Sequence, residues 1–198
     1  MSSTVKRALL CAAVLAVLPL TVWAQQTGYG GGESYPFGTP ASKADIEAWD
    51  KDVRPDGQGL PAGSGTYKQG AQIYGEQCAS CHGAKLEGVR DPNLPQGGGP
   101  ALVGGRGTLN TPKFKQTVES YWPYATTLYD YILRAMPYTA PGSLKPDEVY
   151  SLTAYILAEG HVIKPGEVMD AKSLPKVAMP NKDGFYRDDR PYPVKRYD

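Results

Sequence analysis

Two cysteines separated by two residues and followed at once by a histidine, Cys78-Ala79-Ser80-Cys81-His82, constrain this 198-residue chain more than any other feature. On one helical turn this spacing lets both thiols reach the two vinyl groups of a haem while the adjacent imidazole reaches the iron. The segment therefore reads as c-type haem attachment. A thioredoxin-like dithiol would want a surrounding βαβ pattern, and structural zinc would want four ligands. Outside the motif the chain has only one other histidine, His161, and one other cysteine, Cys11, so neither alternative finds its partners. The expected cofactor is one covalently attached haem c.

The first 24 residues place Lys6 and Arg7 ahead of an apolar run over residues 8–20, with small residues at Val22 and Ala24. That order reads as a secretory signal peptide cleaved after Ala24, and the run falls short of the ~20 apolar residues of a membrane span. Cys11 leaves with the leader. The expected product is an exported protein with no membrane span, and a bacterial periplasm is the compartment that suits haem attachment there. The two remaining cysteines are consumed by thioethers, so no disulfide framework is expected. With 21 Lys and Arg against 20 Asp and Glu, no strong field points toward nucleic acid or anionic lipid.

Four segments follow. Residues 25–63 form an N-terminal extension, Gly-rich at first, with a short helix over SKADIEAWD that Ser42 can cap and that shows Ile46 and Trp49 on one face. Residues 64–160 form the core domain. Its first helix carries Ile73 and Tyr74 on one face, with Gly70 placed for close approach of another helix, and ends at the cysteine motif. Residues 83–111 are dense in Gly and Pro, suited to wrapping a flat cofactor. A helix over residues 125–135 follows from the spacing of Leu128, Tyr131, Ile132 and Ala135, and Pro137 stops it. Another starts at Pro146, with Asp147 and Glu148 opposing the dipole and Val149, Leu152 and Ile156 on its buried face, and stops at Gly160. Residues 161–198 form a proline-punctuated C-terminal extension without a lasting period.

His82 is the expected first axial ligand, and its other ring nitrogen should donate to a backbone carbonyl, with Pro100 the candidate against an ordinary turn proline. For the second ligand Met136, Met169, Met179 and His161 are open. Met136 and Met179 both precede a proline, which disfavours helical geometry and can turn a thioether outward. Position favours Met136, between two helices able to clasp the haem. A Met/His pair raises the reduction potential and describes a carrier rather than a catalyst. Tyr121, Trp122 and Tyr124 offer flat apolar surfaces with polar tips for packing on the porphyrin, and Arg106 is either a propionate partner or a solvated charge.

Gly70, Tyr74, Cys78, Cys81, His82, Gly99-Pro100, Met136-Pro137 and the helix of Tyr155 together resemble a class I c-type cytochrome. The resemblance implies an all-α fold whose first and last helices cross near Gly70 and Tyr155, with Gly/Pro-rich loops around the haem. IEAWDKDVRPDGQGLPAGSGT, SYWPYATTLYDYILRAMPYTAPGSLKPDEVYSLTAYILAEG and LPKVAMPNKDGF are similar to the monohaem cytochrome subunit of sulfite or sulfane dehydrogenase, the SoxD-like proteins. That likeness implies an electron-transfer subunit working with a molybdenum-cofactor subunit in sulfur oxidation, and passing electrons to a downstream cytochrome or oxidase. A free soluble shuttle serving another periplasmic dehydrogenase is the alternative. Some relatives carry two haem domains, whereas this chain carries one motif.

Overall fold

The computed structural model describes residues 38–186. The expected leader at 1–24, the Gly-rich start at 25–37 and the end of the tail at 187–198 lie outside the described residues. Among the described residues of the unit that begins at Ala41, six α-helices, two 3-10 turns and one two-residue antiparallel pairing make up the regular structure. The all-α expectation holds: α2 (Tyr67–Gln77), α5 (Ala125–Ala135) and α6 (Pro146–Glu159) enclose the core.

The close approach at Gly70 governs how α2 meets α6. A Cβ built on Gly70 would stand 2.7 Å from Tyr155 Cβ and would overlap the Ser151 carbonyl oxygen, so only glycine lets the two backbones come this near. Tyr155 fills the crossing between two aromatic neighbours, its ring centroid 5.3 Å from Tyr67 and 5.1 Å from Tyr74. The Tyr67 hydroxyl donates to Glu159 Oε1 at 2.7 Å and ties the helices again one turn further on. α6 is buried from Val149 to Ala158, which explains why its apolar residues exceed a single stripe. Gly160 does end this helix, but its φ of −77° is ordinary, and the left-handed residue is His161 at 54°. Gly160 is small for another reason: a Cβ there would lie 3.1 Å from Glu119 Cβ.

The helix over residues 125–135 forms as the spacing predicts. Leu128 and Ile132 are buried, while Tyr131 is largely exposed. α4 (Val118–Tyr121) is a single turn that the sequence reading lacks. It begins where Thr117 Oγ1 accepts from Ser120 N–H at 3.2 Å.

The two extensions behave differently from each other. α1 (Lys43–Trp49) is started by the Ser42 cap, reciprocated by the Asp45 carboxylate at 2.9 Å from Ser42 N–H. Its apolar pair covers nothing: no residue of α1 is buried and Trp49 is 87% exposed. Beyond it the strap packs on the domain. Val53 N–H donates to Asp130 Oδ1 at 3.0 Å, Asp52 pairs with Arg134 at 3.3 Å, and the Tyr150 hydroxyl donates to the Pro61 carbonyl at 2.9 Å.

The tail reaches the core at three points up to Met179. β1 (Ser64–Gly65) pairs antiparallel with β2 (Met169–Asp170), setting Gly65 opposite Met169. Met169, Leu174 and Met179 are all buried. Packing thus runs past Gly160, through three apolar residues whose irregular spacing between prolines gives no periodic signal.

Candidate haem site

The cysteine motif stands at a break between helices. α2 closes at Cys78, whose N–H donates to the Tyr74 carbonyl at 2.9 Å, and one further turn, α3 (Ala79–His82), presents Cys81 and His82. Tyr74 anchors this turn from below, its hydroxyl donating to the Gly83 carbonyl at 2.7 Å. Burial pushes that phenol well above its ordinary range, with Cys78 adding to the shift. Tyr74 therefore stays a neutral donor.

The loop that follows folds back beneath His82. Gly88 N–H donates to the His82 carbonyl at 2.7 Å, Gly99 N–H to the Cys81 carbonyl at 2.8 Å, and Leu102 N–H to the Leu86 carbonyl at 2.9 Å. This fold-back brings the Pro100 carbonyl to 2.8 Å from His82 Nδ1. The nitrogen facing a carbonyl carries the proton, so Nε2 keeps its lone pair for a metal. Gly99 makes the contact possible, since a Cβ there would stand 2.7 Å from the imidazole ring. The expected Pro100 acceptor is thus in place.

Cys78 and Cys81 are both half-buried and unpaired. Burial, and then the neighbouring Cys81, pushes the Cys78 thiol up to about 11, whereas reactive dithiols have a lowered value. No group of three or more His, Cys, Asp or Glu able to hold a metal ion occurs among the described residues.

Met136 leaves α5 in the extended conformation, φ −124° and ψ 149°, and leads into Pro137 through a cis peptide bond. Its side chain is half-buried, as are those of Cys78, Ala79, Leu102, Val103 and Trp122, all packed against the core. Trp122 meets Tyr131 edge-on with centroids 5.9 Å apart. Half-buried apolar side chains from separate segments, thiols on one turn and an imidazole with one nitrogen already engaged make a donor set and lining that fit a covalently bound haem.

Among the other candidates, Met169 is 2% exposed and Met179 4%, both within the hydrophobic core. His161 is exposed on the turn after α6. Tyr121 packs on Phe185 at 5.3 Å, and its carbonyl accepts from Asn181 Nδ2 at 2.8 Å, so the tail occupies it. Tyr124 stays exposed.

Arg106 has partners within the chain that the sequence reading did not name. Its Nε donates to Glu119 Oε2 at 3.0 Å and its terminal nitrogen to the Gly160 carbonyl at 2.6 Å. Glu119, 8% exposed in its side chain, also accepts from Gly104 N–H. A buried carboxylate needs such partners, and this one ties the Gly-rich loop to α4 while Arg106 ties it to the end of α6. No local signal marks Glu119 for the role, because its partners are 13 and more residues away.

Residues 67–159 match the cytochrome c family profile. The chain belongs to the cytochrome c family, and carries haem c in the covalent manner of that family, with Cys78 and Cys81 at the attachment spacing. Among solved structures it is similar to the sulfane dehydrogenase SoxCD from Paracoccus pantotrophus, at 39% identity and a TM-score of 0.70, covering 79% of this chain and 74% of that one. It also aligns with the thiosulfate dehydrogenase TsdBA from Marichromatium purpuratum at 31% identity and a TM-score of 0.33, covering 48% of this chain and 18% of the other. A comparison with curated protein sequences returns no match. The resemblance to SoxD-like subunits therefore holds across most of the chain.

Proposed function

We propose that this cytochrome is exported to the periplasm with residues 1–24 removed, and serves as the electron-accepting subunit of a molybdenum-dependent sulfite or sulfane dehydrogenase. The observation that carries the reading is the 39% likeness to SoxCD over 79% of the chain, extending well beyond the haem motif into the strap and tail. Two strap and tail segments that a bare electron shuttle does not need are here built into the core, through Pro61 bonded to Tyr150 and Met169 paired against Gly65.

When bound, haem c supplies a one-electron ferric/ferrous couple. The chain's own residues do the rest. Cys78 and Cys81 would hold the haem through their sulfurs, His82 would bind the iron through Nε2 with Pro100 fixing its ring, and Met136 would bind it through its thioether. Trp122 and the half-buried apolar residues would exclude water, which favours the less charged, reduced form. With the iron held by two residues of the chain, substrate chemistry belongs to the partner. The chain accepts electrons singly and passes them to a downstream cytochrome or oxidase.

Two measurements test this. Met136→Ala should lower the reduction potential by on the order of 0.1 V, a fraction of the range that axial ligands span, while His161→Ala leaves it in place. An unchanged potential and spectrum in the Met136 variant removes that residue from the iron. The natively matured protein should copurify with a molybdenum-containing subunit, and a lone monomer reduced equally well by unrelated dehydrogenases would return the free-shuttle alternative.

A further inference from the structure

The loop over residues 137–143 carries the chain from Met136 back toward α6, and its backbone bonds are internal. Ala140 N–H donates to the Pro137 carbonyl at 2.9 Å and Ser143 N–H to the Ala140 carbonyl at 3.3 Å. Among the described residues, one hydrogen bond joins this loop to another segment: Gln96 Nε2 donates to the Tyr138 hydroxyl at 2.6 Å. Gln96 lies in the 3-10 turn Pro95–Gly97, on the same fold-back that places Pro100 against His82. Its φ of 56° is left-handed, a region that residues with a Cβ seldom occupy. The surrounding turn holds it there, Asp91 N–H donating to the Gly97 carbonyl at 3.0 Å and Gly97 N–H to the Leu94 carbonyl at 2.9 Å. An unfavourable backbone conformation thus serves to present one side chain to Tyr138.

We propose that Gln96 and Tyr138 form a latch between the loop that steadies His82 and the loop that carries Met136, and that this latch limits how readily the Met136 thioether leaves the iron. The inference rests on Met136 being the second axial ligand. For the sulfur to detach and an external ligand to enter, the Met136 loop must move away from the fold-back, and the latch breaks in that motion. Its free energy therefore counts only in the closed, methionine-bound state, and shifts the equilibrium by that difference alone. Both side chains are exposed, so the bond has the modest net value of one competing with water. Gln96 and Tyr138 are positioning residues and touch no reacting atom.

The test uses the full, natively matured holoprotein in the ferric state, titrated with imidazole while the methionine sulfur-to-iron charge-transfer band is followed. Gln96→Ala and Tyr138→Phe should each raise the apparent imidazole affinity by about two- to tenfold. The double variant should go no further than the larger single effect, since both changes remove the same bond. Gln72→Ala, which removes an exposed 3.0 Å bond to Glu76 on α2, should leave the affinity unchanged. Thermal midpoints of the latch variants should stay close to that of the parent, which separates ligand release from general loosening. Unaltered imidazole affinity in both single variants, or single effects that multiply in the double, overturns the latch. A parent spectrum without the charge-transfer band overturns the Met136 assignment and the latch with it, so the two failures are told apart.

Discussion

At the α2–α6 crossing, Gly70 lies so close to Ser151 and Tyr155 that no side chain fits between them, whereas among the described residues a single hydrogen bond, between Gln96 and Tyr138, joins the Met136 loop to another segment. The crossing is backbone against backbone, filled by Tyr67, Tyr74 and Tyr155 and closed by the bond to Glu159. The loop is short, internally bonded and exposed over most of its length. Close packing makes the first region intolerant of any added atom. Sparse tethering makes the second adjustable at small cost. A cytochrome can use both, a scaffold that keeps its shape in either redox state and, with Met136 on the iron as proposed, a loop whose hold is tunable.

Changes at the crossing should therefore act on stability and leave the iron alone. Gly70→Ala is the severest, expected at or above the upper end of the ~1–3 kcal/mol typical of overpacked sites, because the clash is with backbone that cannot rotate away. Thermal unfolding and the yield of matured holoprotein would read it, and a tolerated alanine would break the picture of a rigid crossing. Glu119→Ala comes next. It strips Arg106 and Gly104 N–H of their acceptor, and partial exposure of Arg106 reduces the cost to about 1–2 kcal/mol. Faster amide exchange over residues 104–107, with an unchanged reduction potential, would confirm that the clamp is structural.

A smaller, pH-dependent effect sharpens the same contrast. Burial pushes the Tyr150 phenol up to about 12, with Asp170 and then Asp147 adding to it, against about 10 in an unfolded chain. The folded state holds this proton longer than the unfolded state does, so the contribution is full below pH ~10 and is lost as pH rises toward 12. Melting temperature measured between pH 9 and 12 should fall less steeply in Tyr150→Phe than in the parent. Equal slopes would show that Tyr150 is not a source of the alkaline loss. Trp49→Ala should do least, within ~0.5 kcal/mol, because that ring is 87% exposed. A marked drop in melting temperature would mean that α1 leans on the domain after all.

Legibility in the sequence followed the range of the interactions. The motif from Cys78 to His82, the Ser42 cap, the Pro146 start and the 125–135 helix are set by neighbours within a turn or two, and each appears where the spacing puts it. Pro137 correctly turns Met136 out of α5, since a proline restricts the residue before it. Pro100 and Gly70 were readable because a carbonyl beside a haem histidine and a glycine at a helix crossing answer definite steric needs. The Arg106–Glu119 pair was not readable, because a guanidinium can donate to any anion within reach and nothing local marks Glu119 as that anion. The fate of the apolar pair of α1 was not readable either, since an amphipathic spacing states that a face can be buried and says nothing of whether another element meets it. The tail showed no period, yet Met169, Leu174 and Met179 reach the core one at a time between prolines.

By itself the sequence determined the covalent chemistry and the local geometry: thiols and imidazole on one turn, helices of the right length, and a methionine released by a proline. These follow from bonds and torsions close along the chain. Tertiary structure decided the partners: Glu119 for Arg106, the core for Met169 and Met179, solvent for Trp49 and Tyr138 for Gln96. Such pairings depend on which distant segments share space, and that is settled only when the whole chain minimises its exposed apolar surface and satisfies its buried polar groups together.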